Sequence, residues 1–135
     1  MTIIPQPPES EWLKQLSHQI TNAAMEVHRH LGPGLVDQVY AHCLREELHI
    51  LGLEAKSNVK IPIHYKVWRL EDAFSADLQV ENTVLVSVKS VDYLLPLHAA
   101  QLRTYLKLSG FHLGLLINFN VEILRQGIRR VLHER

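Results

Sequence analysis

At Asn58 the apolar spacing of the chain changes from the period of a helix to that of a strand, which limits the fold to a mixed α/β arrangement. Before that point Leu13, Leu16, Ile20, Ala23, Ala24, Val27 and Leu31 form one helical stripe, and Val36, Val39, Tyr40, Cys43, Leu44, Leu48 and Leu51 form another. After it Val59, Ile61, Ile63, Tyr65 and Val67 alternate with Lys60, Pro62, His64, Lys66 and Trp68. Pro62 cannot donate to a ladder, so this strand belongs at an edge or is irregular.

The punctuation residues bound the elements. Ser10 suits an N-cap with Glu11 in the first turn, and the helix runs to about Leu31, where "GPG" at 32–34 stops it. A second helix starts near Leu35 and ends at Gly52. Two further strands, "AFSADLQV" and "VLVSVKSV", are joined by "ENT". Pro96 and Gly110 bracket a helix, "HLGLLINF" reads as a central strand covered on both faces, and a last helix is expected from about Glu122 to Leu132. The expected order is α, α, β, β, β, α, β, α, a mixed sheet with helices on its faces. Pro5, Pro7 and Pro8 mark residues 1–9 as an extended tail before a single domain over 10–135.

Composition narrows the partners. Lys plus Arg and Asp plus Glu are 14 each, so attraction to nucleic acid or an anionic surface requires a local basic patch. A lone cysteine, Cys43, rules out an intrachain disulfide and a multi-cysteine zinc site; on the stripe of the second helix it reads as core. No apolar run approaches the length that crosses a bilayer, and the N-terminus lacks a basic and apolar leader. A soluble cytoplasmic protein is the expectation.

The residue that does not fit its strand is Lys89, a cation in "VLVSVKSV". Val84, Val86 and Val88 take one face, and Leu85, Ser87, Lys89 and Val91 the other. With a three-residue connection, Asp77 falls opposite Ser87 and Ser75 opposite Lys89, all on one face; a two-residue connection places Asp77 on the other side. Asp77 and Lys89 taken alone are equally readable as a buried ion pair with no chemical task.

An Asp followed after a hairpin by x-Lys on the next strand resembles the PD-(D/E)XK nucleases, whose core is αβββαβ. The likeness extends to the GxxExxY family of small proteins of that kind, through "AAMEVHRHLGPGL", "GLVDQVY" at 34–40, "SADLQV", "SVKSV", "HAAQLRTYLKLSG" and "GLLINFN". The resemblance implies that carboxylates hold Mg²⁺ or Mn²⁺ at a scissile phosphodiester, while the lysine orients water or stabilises charge on phosphorus. It assigns the catalytic positions to Asp77, Ser87, Lys89, Gln101 and Tyr105, the last two sharing a helix face with His98. Several positions depart from the pattern. The name-giving glutamate is Asp37, the acid of E-x-K is Ser87, Ser75 replaces an arginine, and Ala99 replaces an acid. Substitute metal ligands beside Asp77 are Glu26 on the first helix and Asp37; each is also explained without chemistry, as a solvated flank and a helix N-terminal charge.

Two functions follow. One is a metal-dependent nuclease with a rearranged and incomplete motif; the other is a degenerate member whose fold binds nucleic acid, a protein or a second copy of itself. Arg125, Arg129 and His133, spaced by four on the expected last helix, are a possible phosphate-facing stripe or a solvated face. Trp68 and Arg69 sit beside a hairpin turn where a nucleic acid or a partner could touch them. The nine histidines show no metal-binding spacing.

Overall fold

The structure, a computed structural model, describes residues 10–133. The tail expected over 1–9 lies outside them. Helix α1 spans Glu11–Leu31 and opens as the sequence indicates, the Ser10 hydroxyl accepting the Leu13 N–H at 3.1 Å. Helix α2 spans Asp37–Ile50 and buries Tyr40, Leu44 and Leu48. Val36 and Leu51, expected on its inner face, are the residues that flank the helix and are exposed, as is Val39 in its first turn.

Five strands follow in sequential spatial order: β1 Ala55–Tyr65, β2 Trp68–Val80, β3 Val84–Lys89, β4 Leu113–Asn118 and β5 Ile128–Leu132. Only β3 and β4 are parallel, joined by the crossover helix α3, Pro96–Ser109, which Gly110 ends in a left-handed conformation. β1 is an edge strand with a register shift between Ile61 and Ile63, where Pro62 sits. α1 and α2 cover one face of the sheet over Leu78, Val80, Val84, Val86, Val88, Leu115 and Ile117. α3 covers the other with Leu102 and Leu106 against Leu85, Leu116 and Val131.

The expected last helix is not formed. Leu124–Gly127 make one 3-10 turn, and Ile128–Leu132 pair antiparallel with β4 as β5. Ile128 and Val131 have helix-like spacing, but β4 needs a partner on its outer edge, and a fully buried strand cannot leave that backbone unpaired. Gly127 admits this turn: a Cβ there would lie 2.4 Å from the Asn118 carbonyl oxygen. The stripe Arg125, Arg129 and His133 therefore does not share a helix face.

Candidate active site around Asp77

The connection Glu81, Asn82, Thr83 has three residues, with Glu81 and Asn82 both at positive φ, and gives the pairs Val80 with Val84, Gln79 with Leu85 and Leu78 with Val86. The ladder ends there. At the next position the Asp77 carboxylate accepts the Val88 N–H at 2.8 Å, a side chain taking a backbone donor where the strands part. On the other side of β2, Ser57 pairs with Leu78 and Val59 with Ala76, while Asn58, between them, adopts φ 52. Ala76 accordingly packs toward α3 and Leu78 toward α1 and α2, although two residues apart on a strand should share a face. The pleat inverts at Asp77.

This inversion puts Asp77 on two cavities. The smaller, about 80 Å³, lies beneath α3 and is lined by Ser75, Ser87, Lys89 and Tyr105 with apolar neighbours. The larger, about 360 Å³, lies against α2 and is lined by Asp37, His42, Arg45, Ser57 and Asn58. Burial pushes the Asp77 carboxyl above the ordinary carboxylate range; the Val88 N–H and the Lys89 charge pull it down, and the Asp37 charge adds to the rise. Asp77 thus feels one cation and one anion, each from a residue that the sequence singles out.

Asp37 is held at this cavity by its loop. The Tyr40 hydroxyl donates to the Gly32 carbonyl and accepts the Leu35 N–H, and its ring stacks on Phe119 with centroids 4.5 Å apart. The Ser90 hydroxyl bonds the Leu35 carbonyl, tying the start of α2 to the end of β3 one residue beyond Lys89. Buried Asn118 fixes the same corner from β4: its carboxamide accepts the Val91 N–H at 3.0 Å and donates to the Val91 carbonyl at 2.9 Å. Sequence reasoning placed Tyr40 on an apolar stripe and at the end of "GLVDQVY", and Asn118 in a buried strand within "GLLINFN", with no polar partner for either. Their polar ends serve the loops, which no periodicity reports.

The other candidates divide. Tyr105 reaches the smaller cavity and stacks on Phe74 with centroids 4.0 Å apart, whereas Gln101, one turn earlier on α3, is exposed and lines neither cavity. His98 is used at the start of α3, where its Nδ1 accepts the Leu95 N–H at 2.9 Å. Glu26 is not brought to Asp77. Its carboxylate bonds Arg29 at 2.7 Å and His30 at 2.9 Å on its own helix, which holds it below the ordinary carboxylate range. Arg45, which the sequence did not flag, has a buried Nε with no hydrogen bond among the described residues, a loose 3.9 Å ion pair from that Nε to the adjacent Glu46, and a long 3.4 Å contact from Nη1 to the Ser57 hydroxyl. No group of three or more His, Cys, Asp and Glu among the described residues is placed to hold a metal ion.

The family model of the PD-(D/E)XK nuclease superfamily matches residues 14–131, nearly all of the described chain. The chain belongs to the PD-(D/E)XK nuclease superfamily. No curated protein and no solved structure matches it. In this PD-(D/E)XK domain the helix, the three strands, the crossover helix and the fourth strand stand in the αβββαβ order, with α2 inserted after α1 and β5 closing the sheet. The nucleases of the superfamily generally use divalent metals, and the cavity at Asp77 offers carboxylate, amide and hydroxyl oxygens, the set that Mg²⁺ and Mn²⁺ prefer, beside the His42 imidazole and the Arg45 guanidinium. Among the described residues no helix is long and apolar enough to cross a membrane.

The raised pKa of Asp77 has a consequence for stability. The folded state holds this proton to higher pH than the unfolded chain does, so as pH rises through that window the folded state loses stability it had with Asp77 protonated. Asp77→Asn keeps an oxygen for the Val88 N–H and removes the buried charge. It is expected to raise the melting temperature at pH 7 by a few degrees, about 1 kcal/mol, as relaxed functional sites do, with the gain shrinking as the pH is lowered toward 4. A lower melting temperature for Asp77→Asn at pH 7 would contradict this.

Proposed function

We propose that this protein hydrolyses phosphodiesters of nucleic acid slowly, with Asp37 and Asp77 as the seat of a divalent cation and Lys89 as the adjoining catalytic cation. The observation that carries the reading is that Asp37 and Asp77 face one cavity while Lys89 lies on the far side of the same Asp77 carboxylate. Two like charges and a burial-raised pKa are what a carboxylate pair shows when a cation is meant to complete it. Mg²⁺ binds through one or two carboxylates and keeps several waters, so two acids suffice where three would hold it better. What a divalent ion supplies when bound there is polarisation of a phosphoryl oxygen and acidification of a water.

The chain's own residues do the rest. Lys89 places a fixed positive charge where negative charge grows on the phosphoryl oxygens. Arg45, underused as a donor, offers its guanidinium to a strand phosphate entering along α2. Ser87 supplies a neutral oxygen where the E-x-K pattern has an acid. The missing unit charge is worth up to about 4 kcal/mol per unit of cation charge at 4 Å and an effective dielectric of 20, before hydration is counted. Slow turnover and weak metal affinity follow.

The second reading, a non-catalytic module that binds nucleic acid or a protein, rests on Ser87, Ser75 and Ala99 together. Cleavage of single-stranded, duplex and branched DNA in Mn²⁺ separates the two. Slow cleavage by the wild type that disappears in Asp77→Ala supports the nuclease reading. No cleavage of any substrate by the wild type would overturn it.

A further inference from the structure

A third cavity, away from the two at Asp77, carries a different chemistry. It lies between α1 and the segment from the 3-10 turn into β5, has a volume of about 580 Å³, and is walled by Lys14, His18, Arg125 and Arg130 with Thr21 and Asn22 as neutral donors. Among the described residues no carboxylate lines it. Among the described residues neither Lys14 nor Arg125 has an ion-pair partner. Charge of one sign is thus concentrated here in a chain with none overall. Holding the Lys14 and Arg125 charges beside one concavity is unfavourable in itself, and a bound anion reverses the sign of that interaction.

The spacing says what kind of anion. Lys14, Ser17 with His18, Thr21 with Asn22, and Met25 recur every three to four residues, so they form one stripe down α1. Its polar part, Lys14 to Asn22, is about 12 Å long at 1.5 Å per residue. Its length suits a row of phosphates better than a single ion. The unfolding of the expected last helix is what creates it: the 3-10 turn and β5 turn Arg125 and Arg130 onto this stripe, where a helix would have aligned Arg125 with Arg129.

We propose that this groove binds the phosphate backbone of a polynucleotide, as a contact separate from the Asp77 site. The inference takes the kind of ligand from the proposed function, but the groove itself stands on its own charges. The test is fluorescence anisotropy of the full chain with a labelled single-stranded oligonucleotide in EDTA, titrated between 50 and 200 mM salt (roughly the range over which counterion release is read). Wild type, Lys14→Gln/Arg125→Gln, Arg103→Gln/Lys107→Gln on α3 and Asp77→Ala are compared, with circular dichroism to show each is folded. Each lost phosphate contact on a single strand lowers the slope of log K against log salt by about 0.7, so the groove variant is expected to lose about 1.4 and to bind about tenfold or more weakly at the low-salt end. The α3 variant, equal in charge change, and Asp77→Ala are expected to keep the wild-type slope.

An unchanged slope in the groove variant overturns the proposal, as does an equal loss in the α3 variant, which would mean that net charge alone is responsible. Binding of inorganic phosphate or a phosphopeptide at the groove, without binding of the oligonucleotide, overturns the assignment to nucleic acid. Loss of cleavage in Asp77→Ala with the groove slope intact separates failure of one site from failure of the other.

Discussion

Ser87→Glu is expected to bind Mn²⁺ about 10- to 100-fold more tightly than the wild type, equivalent to about 1.4–2.8 kcal/mol. The side chain at 87 faces the smaller cavity with Asp77 and Lys89. That cavity, about 80 Å³, has room for the three heavy atoms that the change adds, being roughly the share of two to three liquid waters. A new carboxylate restores a unit charge whose attraction, at an effective dielectric of 20 and 4 Å, is about 4 kcal/mol per unit of cation charge; dehydration of the ion and of the acid removes much of it. Cleavage should rise in the same variant, since the cation is held in more molecules at a given Mn²⁺ concentration. Isothermal titration with Mn²⁺ reads the first effect. An affinity unchanged by the glutamate would show that position 87 does not face the cation seat.

Asn118→Ala is expected to cost about 2–4 kcal/mol of stability, read as a fall of roughly 10 °C in melting temperature. The side chain is 2% exposed, and its carboxamide is the partner of the Val91 N–H and carbonyl and of the Asn120 N–H. Truncation leaves these backbone groups without partners in a half-buried corner, and a buried orphan costs about 1–3 kcal/mol. The same corner carries the Phe119 N–H to Lys89 carbonyl bond at 2.9 Å, so the end of β3 loses its support and Lys89 its fixed position. Catalysis or metal-dependent binding should therefore fall further than stability alone accounts for at a temperature where the variant is still folded. Retention of the wild-type melting temperature would contradict the role given to Asn118.

Legibility differed by kind of residue. Ser10, Pro96 and Gly110 bound their helices as read, because caps act locally and their partners are a few residues away. The three letters "ENT" fixed the pairing of β2 with β3, since connection length decides which faces meet. The pleat inversion at Asp77 could not be read: it coincides with a left-handed conformation at Asn58 on the paired strand, which asparagine tolerates in turns but which nothing demands inside a strand. That inversion is what opens Asp77 to a cavity shared with Asp37. β5 escaped for a different reason. Its own pattern fits a helix no worse than a strand, and the deciding force is the open edge of β4, a tertiary demand. Glu26 was attractive because of its place in a shared motif, yet Arg29 and His30 on the same helix occupy its carboxylate.

On the proposed reading, Asp37 replaces, at another place in the fold, the charge that Ser87 lacks. Titration of Mn²⁺ into the wild type and Asp37→Asn, the latter chosen because asparagine preserves size and the start of α2, tests it most directly. The wild type is expected to bind one Mn²⁺ weakly, and Asp37→Asn to bind it at least tenfold more weakly while melting within a few degrees of the wild type. Equal Mn²⁺ affinity in the two proteins would contradict the claim and leave Asp77 without a second acid.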